Sequence, residues 1–198
     1  MIKTGLIGNG KWGKILRKKL LLISDLKFVC NSKDSFLEKL NDVDWVIIAT
    51  PNPTHYEIVK KCLTFGKNVF CEKPLCLTYQ QCVELYDLSE RMKAKLYVDD
   101  IQNFRDNKFP ILDMNVISRT KESNHSIKSI LFNLMYHDIY TLYPHIKNKK
   151  LSDVNVLESK ENLHIKLFFG KLQFEFFYDL NDRRKTHTIN GIRQDGTD

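Results

Sequence analysis

No stretch of this chain approaches the ~20 consecutive apolar residues that a membrane span needs, so a helical membrane protein is not expected. Cysteine is present but unpatterned. Cys30, Cys62, Cys71, Cys76 and Cys82 make an odd count without a C-x-x-C pair, which points to reduced thiols and a cytoplasmic protein rather than a disulfide framework. Cys71 and Cys76 lack a second ligand pair, so no metal site is expected. A basic stripe interleaved with aromatics is missing too. The net charge of +7 is spread along the chain, with 16 basic and 12 acidic side chains in residues 1–100 and 15 and 12 in the rest. Nucleic-acid binding is therefore not expected, and Arg17-Lys18-Lys19 reads as a solvated helix face. Met1-Ile2-Lys3 runs straight into a strand pattern, so no secretory leader is expected. Internal repeats and low-complexity segments are absent. What remains is an ordinary globular composition, 42% hydrophobic and 28% charged over 198 residues, enough for one large domain or two small ones. The basic excess favours an anionic ligand.

Glycine is scarce, with eight in the chain, yet three fall within six residues: Gly8-x-Gly10-x-x-Gly13. A short apolar strand, Ile2 to Ile7, leads into them and a helix-like stretch, Lys14 to Leu22, follows. That order suits a dinucleotide pyrophosphate. Gly8 permits the tight turn, Gly10 lets the backbone approach the phosphates, and Gly13 lets helix and strand pack closely, while the helix N-terminus faces the anion. Asn9, Lys11 and Trp12 belong to the same loop.

The first half alternates strand and helix patterns. Strands are predicted at Lys3–Ile7, Leu26–Cys30, Trp45–Ala49, Asn68–Cys71 and Lys95–Val98, and helices at about 11–22, 34–41, 54–65 and 78–92. Thr54 with Glu57 predicts a capping box, Gly66 a helix stop, and Thr78 a further cap. Between Cys30 and Trp45 there is room for one short helix only, so the expected sheet is a trimmed Rossmann-type parallel sheet lacking one outer strand. The second half changes character. Residues 128–146 predict one helix ended near Pro144, and Leu163–Tyr178 alternates as a hairpin turning at Gly170-Lys171. Phe168 and Phe177 fall on its opposite face, to be covered by the helix or a second subunit. The fold class is thus α/β: residues 1–100 form a dinucleotide-binding Rossmann-like domain, and 101–198 a small α+β domain with an antiparallel or mixed sheet.

Two further segments follow strand ends, where ligands bind in open α/β sheets. These are Ala49-Thr50-Pro51-Asn52-Pro53-Thr54-His55 and Gly66-Lys67-Asn68-Val69-Phe70-Cys71-Glu72-Lys73-Pro74-Leu75. With the glycine loop, and at matching spacing, they resemble the Gfo/Idh/MocA family of NAD(P)-dependent sugar and polyol oxidoreductases. The resemblance is specific over residues 1–105 and looser through 128–146 and 163–191, and it suggests a shortened member that ends early. It implies that Lys73 of Glu72-Lys73-Pro74 lies beside the nicotinamide and the reacting hydroxyl, often after a cis peptide. Read alone, that tripeptide is also compatible with a plain charged loop. The family's Asp-x-x-x-His pair corresponds to Asn133 and His137, one helix turn apart. An amide at 133 can orient a hydroxyl but cannot take a proton, and His137 is either an acid/base group or a structural histidine. His55 is expected to shape the Pro51–Pro53 loop.

At the end of the second strand an NAD enzyme carries a carboxylate for the adenosine ribose. Here Asn31-Ser32-Lys33 stands there, with no carboxylate before Asp34, so NADP(H) is favoured over NAD(H). The resulting expectation is a hydride-transferring dehydrogenase acting on a CH–OH group or ketone of a sugar-like small molecule, nucleotide-linked ones included. Gly8 to Gly13, Asn31 to Lys33, Thr50, Pro51, Asn52, His55, Glu72 and Lys73 would meet the cofactor, and Lys73, His137 and Asn133 would serve the chemistry. Specificity would lie in Arg105–Pro110 and Arg119–Lys128. A homodimer or higher homo-oligomer would form through the second-domain sheet. Two alternatives stay open: a cofactor-binding sensor or partner subunit with little catalysis, and a structural domain whose loop binds nothing.

Overall fold

Leu6 and Ile7 sit side by side on the first strand, point to opposite faces, and are both fully buried. A strand buried on both faces belongs inside a parallel sheet covered by helices. The computed structural model describes residues 1–99, 109–120, 130–180 and 184–194, and at 132 and 133 the backbone alone. The chain divides into two units, Met1–Asp100 and Ile101–Asp198.

In the first unit β1 (Lys3–Ile7), β2 (Asp25–Cys30), β3 (Trp45–Ile48), β4 (Asn68–Glu72) and β5 (Leu96–Asp99) form one parallel sheet in the order β2-β1-β3-β4-β5. β2 is the edge, as expected of a sheet without the further outer strand. The registers align the strand ends: Ile7 lies beside Cys30 and Ile48, Ile48 beside Cys71, and Cys71 beside Val98. All the loops that follow these strands therefore leave from one edge. Helix α1 (Lys11–Ile23) lays Leu16 and Leu20 against Leu6 and Ile47 on one face. On the other, α2 (His55–Thr64) and α3 (Tyr79–Arg91) bury Ile58, Val59, Leu63 and Leu85 against Ile7, Val46, Ile48 and Val69.

Three local expectations change. The helix expected at 34–41 is a single 3-10 turn, Glu38–Asp42. Phe36, Leu40 and Val43 reach the core from that short turn, so burial is met without a full helix. Thr54 is not the cap expected for α2. Its hydroxyl instead donates to Thr50 Oγ1 and the Pro51 carbonyl, both at 2.8 Å, closing a 3-10 turn over Asn52–Thr54. Gly66 does end α2. Gly66 N–H donates to Leu63 O and Lys67 N–H to Cys62 O, the paired bonds of a Schellman stop. Thr78 caps α3, its hydroxyl accepting from Gln81 N–H at 3.3 Å.

Among the described residues, the second unit holds a six-stranded mixed sheet in the order β11-β10-β6-β9-β8-β7, in which only β6 and β9 pair in parallel. Its strands are β6 (Met114–Thr120), β7 (Asp153–Glu158), β8 (Asn162–Phe169), β9 (Leu172–Asp179), β10 (Thr186–Ile189) and β11 (Ile192–Arg193). The β8–β9 hairpin turns at Gly170, as predicted. Leu163, Ile165, Leu167, Phe174, Phe176 and Tyr178 form its buried face, joined by Ile117 and Ile189. The covering helix begins with a π-helical turn, Leu131–Met135, and continues as α4 (Tyr136–Ile146). Pro144 does not end it; the ring is carried in the last turn. Ile130 and Leu142 close the core from this helix. On the far face Phe177 stays 38% exposed and stacks on His164 with ring centroids 3.9 Å apart.

Candidate functional site

In this sheet the chain winds outward from β1 in both directions, to β2 on one side and β3 on the other. The crevice at such a reversal is where open α/β sheets take ligands. A groove of about 300 Å³ lies there, lined by Gly8, Asn9, Gly10, Lys11, Trp12, Asn31, Ser32, Ala49, Thr50 and Pro51. Nine of the residues expected to meet a cofactor thus share one cavity. Gly8 N–H donates to Cys30 O and Ala49 N–H to Ile7 O, both at 2.8 Å, so the three loops are tied together by backbone.

Two glycines are fixed by sterics. Gly8 has φ +114°, and a β-carbon on it would run into the Ala49 carbonyl. A β-carbon on Gly13 would strike the Gly8 carbonyl oxygen. Gly10 differs, because a β-carbon there would meet nothing within 4 Å and would project into free space. Gly10 also caps α1 in an extended conformation, with no side-chain hydrogen bond. The first helical bond runs from Lys14 N–H to Gly10 O, which leaves the N–H groups of Lys11, Trp12 and Gly13 without intrahelical acceptors. Asn9 Oδ1 is buried beside them and has no hydrogen-bond partner. First-turn donors, an open Cα and an orphaned side-chain oxygen fit a dinucleotide pyrophosphate with its flanking hydroxyls.

The adenosine end is less simple than the sequence suggested. Asp34 folds back onto the end of β2, and its Oδ2 accepts from Asn31 N–H at 2.6 Å and from Asn31 Nδ2 at 3.2 Å. A carboxylate therefore does stand at this strand end, already engaged by Asn31. Lys33 follows Ser32 in the same turn but is not among the groove-lining residues.

Asn52, His55, Glu72 and Lys73 also lie outside that lining. His55 is 0% exposed. Its Nδ1 faces the Pro74 carbonyl and its Nε2 the Thr50 carbonyl, each at 2.8 Å. It does not face the cofactor groove. It fastens the loop after β3 to the turn after β4. Lys73–Pro74 is a cis peptide. Glu72 and Lys73 are half-buried at the carboxyl end of β4. Burial, and then the neighbouring Asp99, push the Glu72 carboxyl up to about 8, with Lys73 opposing.

In the second unit His137 is half-buried on α4, edge-on to Tyr136. The side chain of Asn133 lies outside the described residues, as do residues 100–108 and 121–129, which hold most of the expected specificity segments. Arg119, placed by sequence in one of those loops, is instead in β6 and turns into the unit's core. There it clasps Asp138 with three bonds of 2.7–3.0 Å. Asp138, 0% exposed, also accepts from Tyr178 Oη at 2.8 Å, and His187 Nε2 lies 3.0 Å from its Oδ1. Burial alone would raise the Asp138 carboxyl, but His187 and Arg119 together hold it below the usual range. Sequence reasoning missed this cluster. Its signal was a carboxylate on the apolar face of a helix, one residue after His137.

The comparisons with known proteins agree with this geometry. Residues 18–100 match the model of an oxidoreductase family described by its NAD-binding Rossmann fold; the match begins within α1, so the glycine loop precedes it. An oxidoreductase from Streptococcus pneumoniae is 34% identical over 123 residues, 52% of this chain and 33% of the relative. An inositol 2-dehydrogenase from Rhizobium meliloti is 28% identical over 49% of this chain and 35% of its own length. The chain thus spans about a third of the length of these two relatives. In fold, a UDP-N-acetylglucosamine 3-dehydrogenase from Acidithiobacillus ferrooxidans superposes with a TM-score of 0.79 at 19% identity, over 95% of this chain and 70% of that one. Through its NAD-binding Rossmann unit, this chain is similar to the Gfo/Idh/MocA oxidoreductases, whose family model matches residues 18–100.

Proposed function

We propose that the chain binds NADP(H) in preference to NAD(H) and takes part in hydride transfer to or from a carbinol or ketone of a sugar-like substrate. The observation that carries this is the groove at the sheet's reversal, where Gly8, Asn9, Gly10, Lys11, Trp12, Asn31, Ser32, Thr50 and Pro51 gather around an open Gly10. The N–H groups of the first turn of α1 would hold the pyrophosphate, and Asn9 Oδ1 would accept from a hydroxyl beside it. Ser32 and Lys33 would meet the adenosine ribose and its 2′-phosphate, with Asn31 held in place by Asp34. When bound, the nicotinamide supplies or accepts the hydride. Lys73 would donate to the substrate oxygen and stabilise the charge that develops on it. His137, with Asn133 orienting, is assigned the proton transfer. The second unit is assigned the substrate and its open sheet face, with Phe177, the contact between copies. The engaged Asp34 carboxylate supports a second reading, NAD(H), should a ribose displace its bonds to Asn31.

Calorimetric titration decides the cofactor. NADPH is expected to bind at least several-fold more tightly than NADH, with Lys33→Glu reversing the order; equal affinities would defeat the preference. NADPH oxidation is then followed against keto-sugars, free and nucleotide-linked. Turnover lost in Lys73→Ala with cofactor binding intact supports the enzyme. Cofactor binding with no turnover on any keto-sugar would leave a sensor or partner subunit.

A further inference from the structure

Glu72 and Asp99 end neighbouring parallel strands, and the register sets them side by side. Adjacent strands lie ~4.8 Å apart and paired residues project from the same face, so two carboxyl groups leave the sheet together at its ligand-binding edge. The charge of Asp99 disfavours ionisation of Glu72 beside it. Two carboxyls set side by side resist ionising together, and one that keeps its proton has a hydrogen to offer the other. Glu72 Oε1 is buried without a hydrogen-bond partner, a costly place for an oxygen bearing charge. Asp99 was not among the residues singled out in the sequence.

We propose that Glu72 and Asp99 share one proton at neutral pH, with Glu72 a neutral hydrogen-bond donor and Asp99 the positioning residue that keeps it so beside Lys73. Burial and Asp99 together hold the Glu72 proton on until about pH 8, against the opposing charge of Lys73. The groups around Glu72 are Asp99 on β5, Lys73 in the turn, the Cys71 thiol on β4, and His55 of α2 on the far side of Pro74. With the proton shared, Glu72, Asp99 and Lys73 sum to zero charge, and the lysine answers one carboxylate. Losing the proton leaves two carboxylates against one ammonium. Negative charge developing on a nearby substrate oxygen is then less well stabilised. That last consequence rests on the oxidoreductase assignment; the shared proton does not.

The test needs neither cofactor nor turnover. In the full chain labelled with ¹³C at glutamate Cδ, one glutamate resonance is expected to titrate near pH 8, and Glu72→Gln should remove it. Asp99→Asn keeps a partner at the site but takes away the charge, and should lower that midpoint by about one pH unit or more. If Glu72→Gln does not fold, Asp99→Asn carries the test alone. Every glutamate titrating in the ordinary carboxylate range would overturn the shared proton, as would a midpoint unmoved by Asp99→Asn. A high midpoint in a chain that never turns over keeps this inference and removes the enzyme. Turnover without a high midpoint does the reverse.

Discussion

Gly10 and Gly13 are three residues apart in one loop, yet replacing them with alanine should have opposite effects. At Gly13 the new methyl meets the Gly8 carbonyl oxygen, a backbone atom tied down by the Gly8–Cys30 bond. Relief requires the loop or the start of α1 to move, and overpacking of this kind costs about 1–3 kcal/mol. Gly13→Ala should therefore lower stability by that amount and disturb the groove as well. At Gly10 φ is −72°, a value open to alanine, and the methyl meets nothing. Alanine is a worse N-cap than glycine by about 0.5–1 kcal/mol, while its stiffer unfolded chain returns about 0.4–1 kcal/mol. Net stability should stay within about 0.5 kcal/mol of the parent. The methyl would nevertheless occupy the space needed for close approach of phosphate, and a loss of about tenfold or more in dinucleotide affinity, some 1.4 kcal/mol, is expected. Urea unfolding and calorimetric NADPH titration on both variants read the two quantities separately. Unchanged affinity in Gly10→Ala would refute the placement of the pyrophosphate, and parental stability in Gly13→Ala would refute the steric account.

Asp138→Asn breaks a buried pair and leaves Arg119 uncompensated, so a loss of about 3–5 kcal/mol is expected in urea unfolding, mostly recovered if Arg119 is also made apolar. Because the Asp138 carboxyl is held below its unfolded value, the parent chain has this stabilisation above that value and loses it as pH falls through the folded one; unfolding midpoints down an acid series should drop in the parent and stay flatter in Asp138→Asn. His55→Ala removes the ring that sits between the buried carbonyls of Thr50 and Pro74 and takes away the donor of one of them, and should cost about 1–3 kcal/mol while weakening NADPH binding, although His55 does not line the groove; intact binding would show that the two loops hold their places without it. Thr78→Ala removes a long cap bond and should cost about 0.5–1 kcal/mol with no change in NADPH affinity, which serves as the control for general destabilisation.

The parts of this protein that were legible in the sequence are those where backbone sterics dictate residue type. Gly8 and Gly13 announce their turn because a β-carbon fits at neither, and Gly66 announces the end of α2 at φ +67°. Strands β1, β3 and β4 are read as apolar runs because both their faces are buried. Other elements leave no such trace. Every residue of β7 is exposed and its polar/apolar alternation lasts only from Asp153 to Val156, too short to mark it, and β6 is polar because Asn115 and Arg119 bond within the unit. The Asn190-Gly191 turn between β10 and β11, both residues at positive φ, was a readable hairpin signal that went unused. His55 could be assigned to the Pro51–Pro53 loop, but its second partner, Pro74, is nineteen residues away and known only from tertiary structure. Asp138 and Asp99 escaped for the same reason: their meaning lies in what neighbouring strands bring beside them.

Strand β6 has a consequence for how the second unit is built. It lies between β9 and β10, yet the chain makes β7 and β8 before either of those neighbours exists, and Met114 must wait for Gln173. The β8–β9 hairpin closes locally and can form within microseconds, whereas β6 joins only after a long loop has been brought round. Until then one side of β9 is an unpaired sheet edge, open to a strand from any other molecule. Pulsed hydrogen exchange during refolding should find amides of β8 and β9 protected before those of β6, and the yield of refolding should fall with protein concentration over that same interval.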